Sequence, residues 1–316
     1  MNLKVFDKDN WADYKEWFKK KASGLDIYYE PFILESEEWK MTGSCKVIVV
    51  EENDNFLLYP FIQEPIPIKG FESYSDTISP YGYSGPYWNS DDKSFKIESE
   101  NLVCSYLKQH NVVNEFIRYH YLYNESNCFD RNVQNVFNRK VVVVPVNKSW
   151  DEIWFEEFSS TNRNLIRKME KEGYECYETS DPNLYKSFVE LYCQTMKNAN
   201  AVKYSYFTDE NLEKLKTELG AKIRLFVVVT EDVLYNAALF FVTDSIISYH
   251  LSARNLSFPK VPGTNYLLAT MIKAFCGSEW KHLNLGGGTN GEDKNPLLLF
   301  KQNFSKKTKD FIIGKR

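Results

Sequence analysis

The sequence is poor in the residues that build metal and redox centres. It has four histidines (His110, His120, His250, His282) and six scattered cysteines (Cys45, Cys104, Cys128, Cys176, Cys193, Cys276). No CxxC pair occurs, and no histidine stands at metal-ligand spacing from a cysteine, which argues against a structural zinc module. No apolar run approaches the 18 residues of a membrane span. The opening MNLKVFDKDNW carries charge where a secretory signal needs an apolar centre. The reading is therefore a cytoplasmic protein with reduced thiols, which would meet any membrane-linked substrate peripherally, from the cytosolic side. A net charge of -4 argues against a non-specific coat for DNA or for an anionic bilayer, both of which need a basic field, and leaves room for a local basic patch. HExxH, G-x-S-x-G and Ser-His-Asp spacing are all missing. The glycine-rich stretch 284–293, NLGGGTNGED, lacks the Lys-Ser/Thr that completes a phosphate-binding P-loop.

What is present is an ordinary globular composition, 43% hydrophobic and 26% charged, with an aromatic fraction of 16% that hints at gripping or stacking surfaces. A chain of 316 residues exceeds one usual core, and two domains are expected, 1–148 and 149–316. In the first, Trp11, Tyr14 and Phe18 share a helical face behind an Asp cap. Residues 45–62 read as a hairpin around Asn-Asp-Asn, residues 92–110 as a helix, and VVNEFIRYHYL and KVVVVPV as strands. Between hairpin and helix lies DTISPYGYSGPYW (76–88), which fits neither a regular helix nor a good central strand.

The second half begins near Trp150 with a short helix, a Ser/Thr cap, a basic helix and a Gly stop before a strand. Helices follow at about 182–198 and 208–218, then a three-strand meander. A helix opened by Pro262-Gly263, the strand HLNLGGG, the helical NPLLLFKQNFS and a last strand KDFIIGK complete the chain. The order α-α-β-β-β-α-β-α-β is partly echoed in the first half, as a structural duplication without a sequence repeat would leave it.

Four motifs in this order, ISPYGYSGPYW, YHLSA (249–253), LNLGGG (283–288) and LFKQNF (299–304), resemble the FemAB family and its GNAT-type acyltransferase relatives. The resemblance spans roughly residues 45–314. It implies an α+β fold of two tandem GNAT-like domains. It also implies transfer of an amino acid from aminoacyl-tRNA to a peptidoglycan precursor, or of an acyl group to a surface-polysaccharide or sugar-nucleotide precursor. No cofactor would be held permanently, and the donor, aminoacyl-tRNA or acyl-CoA, is left open. The long charged helical pair that some members insert, thought to hold tRNA, has no counterpart in this sequence. A binding module that only grips glycan or peptide in an aromatic cleft is the reading from another class.

Residue by residue, the free amides at the start of a helix make an anion site, where Gly263 permits close approach and Asn265 adds a donor. Arg163 and Arg167, with Lys168 and Lys171 nearby, offer forks and charges for a diphosphate, or simply a solvated helix face. Lys301, with Phe300, matches a substrate-binding pair of the family and is suited to a phosphate or to a developing oxyanion; a snorkelling lysine is the plain alternative. His250 is a candidate general base, or a satisfied strand histidine beside Tyr249, itself in the substrate-binding set. In the aromatic loop Tyr81 and Tyr83 offer faces and hydroxyls to a sugar or peptide, while Asp76 would hold an amine or tie the loop down. Acceptor recognition is expected where this loop meets Arg163, Arg167 and Lys301.

Overall fold

The computed structural model describes residues 1–39, 42–198, 208–231, 233–277 and 279–316. The chain divides into two compact units, Met1–Arg139 with Lys309–Arg316, and Lys140–Thr308. The division thus falls nine residues before the expected 148/149, and the last strand returns to the N-terminal unit. The reason is pairing: Ile313, Gly314 and Lys315 lie antiparallel to Arg118, Ile117 and Phe116.

The N-terminal unit runs β1 (Asn2–Phe6), α1 (Trp11–Lys21), α2 (Pro31–Ser36), β2 (Ser44–Glu52), β3 (Asn55–Pro65), β4 (Ser75–Ile78), β5 (Tyr87–Trp88), α3 (Lys93–Gln109) and β6 (Val112–Arg118). The strand β7 (Gln134–Val144) ends it and begins the next unit. Sheet order is β1-β2-β3-β4-β6-β13, where β13 is Thr308–Lys315. Both sheet faces are apolar because each carries a helical layer. Trp11, Tyr14 and Phe18 of α1 pack with Val47, Val49 and Leu58 on one face. Phe95, Val103 and Leu107 of α3 pack with Ile48, Val50 and Leu57 on the other. The β2–β3 hairpin turns through Asn53 at φ 54°, the left-handed conformation that Asn tolerates in a tight turn. The α1 cap is Asn10 rather than the expected Asp.

Contrary to the sequence reading, the first residues of DTISPYGYSGPYW do form a central strand. β4 pairs antiparallel with β3 and parallel with β6, and Tyr87–Trp88 pairs with Leu58 and Leu57 of β3. Four residues of Ser, Asp, Thr and Ile carry too little alternation to announce a strand.

The C-terminal unit runs α4 (Trp150–Glu152), continued by a π-helical turn Ile153–Glu157, then α5 (Ser160–Lys171), β8 (Glu175–Thr179), α6 (Pro182–Asn198) and α7 (Asp209–Leu219). The meander β9 (Ile223–Thr230), β10 (Val233–Val242), β11 (Ile246–Arg254) follows, then α8 (Gly263–Phe275), β12 (His282–Gly287) and α9 (Pro296–Lys301). Its sheet order is β7-β12-β11-β10-β9-β8. The order β-α-α-β-β-β-α-β from β8 to β12 repeats that from β1 to β6, once β5 is set aside as a side pairing. In each unit the last two strands of the repeat are parallel neighbours, β4 with β6 and β11 with β12. Val142, Val144, Phe226, Phe240, Leu268, Ile272 and Leu285 form the core under α8. Among the described residues no helix is long and apolar enough to cross a membrane.

Candidate functional site

In the C-terminal unit the ladder between β11 and β12 extends only from Ile246–His282 to Ser248–Asn284. Beyond it each strand continues without the other. Parallel strands that part at their C-terminal ends make the crevice in which α/β sheets hold ligands.

Both strands are irregular where they part. Leu239 of β10 faces Leu251 while Phe240 faces Tyr249, so His250 is the extra residue of a β-bulge. Its ring lies on Phe241 with centroids 4.1 Å apart. Burial pushes the neighbouring Tyr249 phenol up to about 12, partly offset by a hydrogen bond with Ser252. In β12 the register against β7 slips between Asn284 and Gly286. Gly286 takes φ 75°, and its N–H donates to Asn284 Oδ1 at 2.7 Å, an Asx turn that pins the glycine run.

Lys301 closes this turn. It ends α9, whose start is capped by Asn295 Oδ1 accepting from the Leu297 and Leu298 amides. The lysine is 7% exposed and its Nζ donates to the Gly287 carbonyl at 2.8 Å. A Cβ on Gly286 would come 3.1 Å from that nitrogen, a close contact added to a φ that already favours glycine. Burying an ammonium is costly without such compensation. Phe300 is half-buried and packs edge-on against Phe304 at 5.8 Å.

The start of α8 is equally constrained. A Cβ on Gly263 would fall onto the Asn236 side chain, 2.7 Å from its Cγ. Asn236 is 2% exposed and donates through Nδ2 to Thr264 Oγ1 at 2.9 Å. The first helical bonds are made by the Asn265 and Tyr266 amides to Pro262, which leaves the Gly263 and Thr264 amides facing outward from the helix start. Asn265 does not add the expected donor there. Its Nδ2 donates to Asn162 Oδ1 at 2.8 Å, and Asn162 Nδ2 in turn donates to the Asn303 carbonyl, a buried amide chain through α5, α8 and the end of α9.

The two arginines of α5 are engaged locally. Arg163 Nη1 donates to the carbonyls of Trp154 and Phe158 at 3.1 and 2.5 Å, satisfying the end of the π-helical turn. Arg167 is exposed and its guanidinium lies over the Trp154 ring at 5.5 Å.

In the N-terminal unit the aromatic loop is tied down throughout. Ser84 Oγ donates to the Pro80 carbonyl, Tyr29 Oη to the Gly85 carbonyl, and the Trp88 indole to Ser99. Gly82, at φ 95°, lies against the Tyr28 ring. The Tyr83 ring is enclosed by Tyr28, Tyr121 and Phe311 at 5.4, 4.8 and 5.1 Å, so its face is occupied by the core, whereas Tyr81 remains 41% exposed. Asp76 accepts from Asn114 Nδ2 at 2.9 Å.

The structure thus brings Lys301 to the glycine turn of β12, and His250 and Tyr249 to the bulge of β11. Sequence reading missed Asn236, Asn284 and Asn295, which shape the two glycine turns. An Asn two residues before Gly286 and an Asn-Pro pair opening α9 were the available signals.

No protein-family profile and no curated protein sequence matches this chain. Solved structures do. FemX superposes with a TM-score of 0.74 at 13% identity, over 99% of this chain and 97% of that one. A conserved Bacteroides thetaiotaomicron protein of unknown function gives 0.63 at 9% identity, over 99% of each chain. The C-terminal domain of an Agrobacterium fabrum protein assigned as a lysylphosphatidylglycerol synthetase gives 0.62 at 12% identity, over 96% of this chain and 92% of that domain. The fold is therefore α+β, two GNAT-like units in tandem.

Proposed function

We propose that this chain is an acyltransferase that moves an aminoacyl or acyl group onto an amine of a cell-wall precursor. The observation that carries the reading is the buried Lys301 ammonium, held in the Gly286–Gly287 turn of the strand that parts from β11. The likeness of fold to FemX supports it.

In this reading the acceptor nitrogen attacks the carbonyl carbon of the donor ester or thioester. The C–O or C–S bond breaks, an amide forms, and the nitrogen's proton ends on the leaving oxygen or sulfur. Negative charge gathers on the carbonyl oxygen in between, and a cation preset in a dry site stabilises it without reorganisation. The outward amides at the start of α8 suit an anionic group of the donor. His250, at the bulge of β11, would accept the proton in this reading, although positioning alone supplies much of the rate of such a transfer. Arg167, Tyr81 and Phe300 remain candidates for precursor binding.

A thiol-release assay with acetyl-CoA, run beside transfer from labelled aminoacyl-tRNA to a peptidoglycan or sugar-nucleotide precursor, tests the reading. Turnover in the second assay alone assigns an aminoacyl donor, and in the first alone an acyl-CoA donor. Precursor binding without transfer from either donor would sink the enzyme and leave a binding module.

A further inference from the structure

The N-terminal unit contains a groove of about 490 Å³ lined by residues of β3, β4, β6 and the end of the chain: Glu64, Asp76, Ile78, Asn114, Phe116 and Lys315 among them. That volume lies in the range of small-molecule sites. The sheet register orders its lining. Glu64, Asp76 and Asn114 are direct cross-strand neighbours and so share one face. Two residues along on the same face stand Ile78, Phe116 and Lys315, again direct neighbours. The groove therefore runs from two carboxylates, past Ile78 and Phe116, whose ring also carries the Arg118 guanidinium at 5.1 Å, to an ammonium.

The acidic end is costly to the fold. Like charges directly opposite on paired strands destabilise a sheet. Glu115, the third acid lining the groove, is neutralised by Arg316 and also accepts from Tyr59 Oη at 2.8 Å. Glu64 and Asp76 have neutral partners instead, the Thr42 hydroxyl at 3.2 Å and the Asn114 amide at 2.9 Å, and no ion pair among the described residues. Glu64 is also held in place, because Gly43 lies so close that a Cβ there would come 2.6 Å from its Cγ. Two aligned, uncompensated carboxylates at the mouth of this groove are complementary to a cation.

We propose that this groove binds a ligand bearing a primary ammonium group on a short apolar stem that ends in an anionic group. The ammonium lies between Glu64 and Asp76, the stem on Ile78 and Phe116, and the anion at Lys315. From Asp76 to Lys315 is two strand spacings across and two residues along, about 12 Å between backbone positions, which with side chains reaching inward suits a stem of about five carbons. The site is independent of the transferase reading.

Calorimetric titration of the full chain with 6-aminohexanoate, pentylamine and hexanoate tests it. Both amines should bind, and hexanoate at least tenfold more weakly than 6-aminohexanoate, because charge-assisted hydrogen bonds to the ammonium supply the selectivity. Glu64→Gln with Asp76→Asn should weaken both amines at least tenfold, and Lys315→Gln should weaken 6-aminohexanoate but not pentylamine. Should Asp76→Asn, which disturbs the Asn114 contact, prevent folding, Glu64→Gln alone must still weaken pentylamine. Its melting temperature without ligand should equal or exceed that of the parent, since a like-charge opposition is removed. Hexanoate binding as tightly as the amines, unchanged amine affinity in the carboxylate variants, or no amine binding at millimolar concentration would each overturn the proposal.

Discussion

Gly263→Ala puts the start of α8 to a quantitative test. The added methyl would lie 2.7 Å from Asn236 Cγ and 3.3 Å from its Cβ, and almost upon Oδ1. Asn236 has little room to swing, being 2% exposed and bonded to Thr264 Oγ1. Either the helix start shifts, an overpacking cost of about 1–3 kcal/mol, or the Asn236–Thr264 bond breaks and strands buried polar groups, about 1–3 kcal/mol. Alanine's better helix propensity returns at most about 1 kcal/mol. The net expectation is a loss of about 2 kcal/mol. Asn236→Ala removes the obstruction, so Gly263→Ala introduced into that background should be neutral or slightly stabilising, a coupling of about 2 kcal/mol in the double-mutant cycle. Urea unfolding of the four proteins, followed by circular dichroism, measures it. An equal cost of Gly263→Ala in both backgrounds would refute the packing argument. A stabilised single variant would show that the glycine is not required by Asn236.

Lys301→Ala and Lys301→Met should both lower transfer at least tenfold if the ammonium stabilises the developing oxyanion; full activity in Lys301→Met, which keeps the apolar stem, would leave the lysine a purely structural prop of the glycine turn. Arg163→Gln should cost about 1.5–3 kcal/mol of stability through its two carbonyl contacts, whereas Arg167→Gln should cost under about 1 kcal/mol and act, if at all, on precursor affinity and its salt slope. Burial pushes the phenols of Tyr14, Tyr29, Tyr59 and Tyr121 well above their ordinary value, and that of Tyr249 up to about 12. Above about pH 10 the unfolded chain loses phenolic protons that the fold keeps, so stability present in full below that pH should fall by about 1.4 kcal/mol per pH unit for each such tyrosine; phenols that ionise freely near pH 10 without unfolding, read at 295 nm, would contradict this. Burial likewise raises the Cys128 and Cys176 thiols to about 12, so at pH 8 only about one in 10⁴ is thiolate and both should resist a disulfide reagent until the chain unfolds.

Much of the fold is legible in the sequence because its signals are local. α6 and the meander β9–β11 lie where periodicity places them, and α7 is announced by Thr208, whose hydroxyl accepts from the Asn211 amide. β4 is not legible, because four residues of mixed polarity become a central strand only through β3 and β6. The candidate site divides along the same line. That Lys301 sits among apolar residues at a helix end can be read directly, but that its ammonium is turned inward onto Gly287 cannot.

By itself, then, the sequence determined the types and order of the elements from α6 to β13 and where glycine interrupts them, since helix and strand periods and turn chemistry act over a few residues. Only the tertiary structure decided that β13 serves the N-terminal unit, that His250 is a bulge residue, that Arg163 is engaged by carbonyls, and that Asn265 donates to Asn162, 103 residues away. Strand partners and hydrogen-bond partners are chosen across the chain by packing and by the cost of leaving a buried polar group unmet, and no local pattern encodes them.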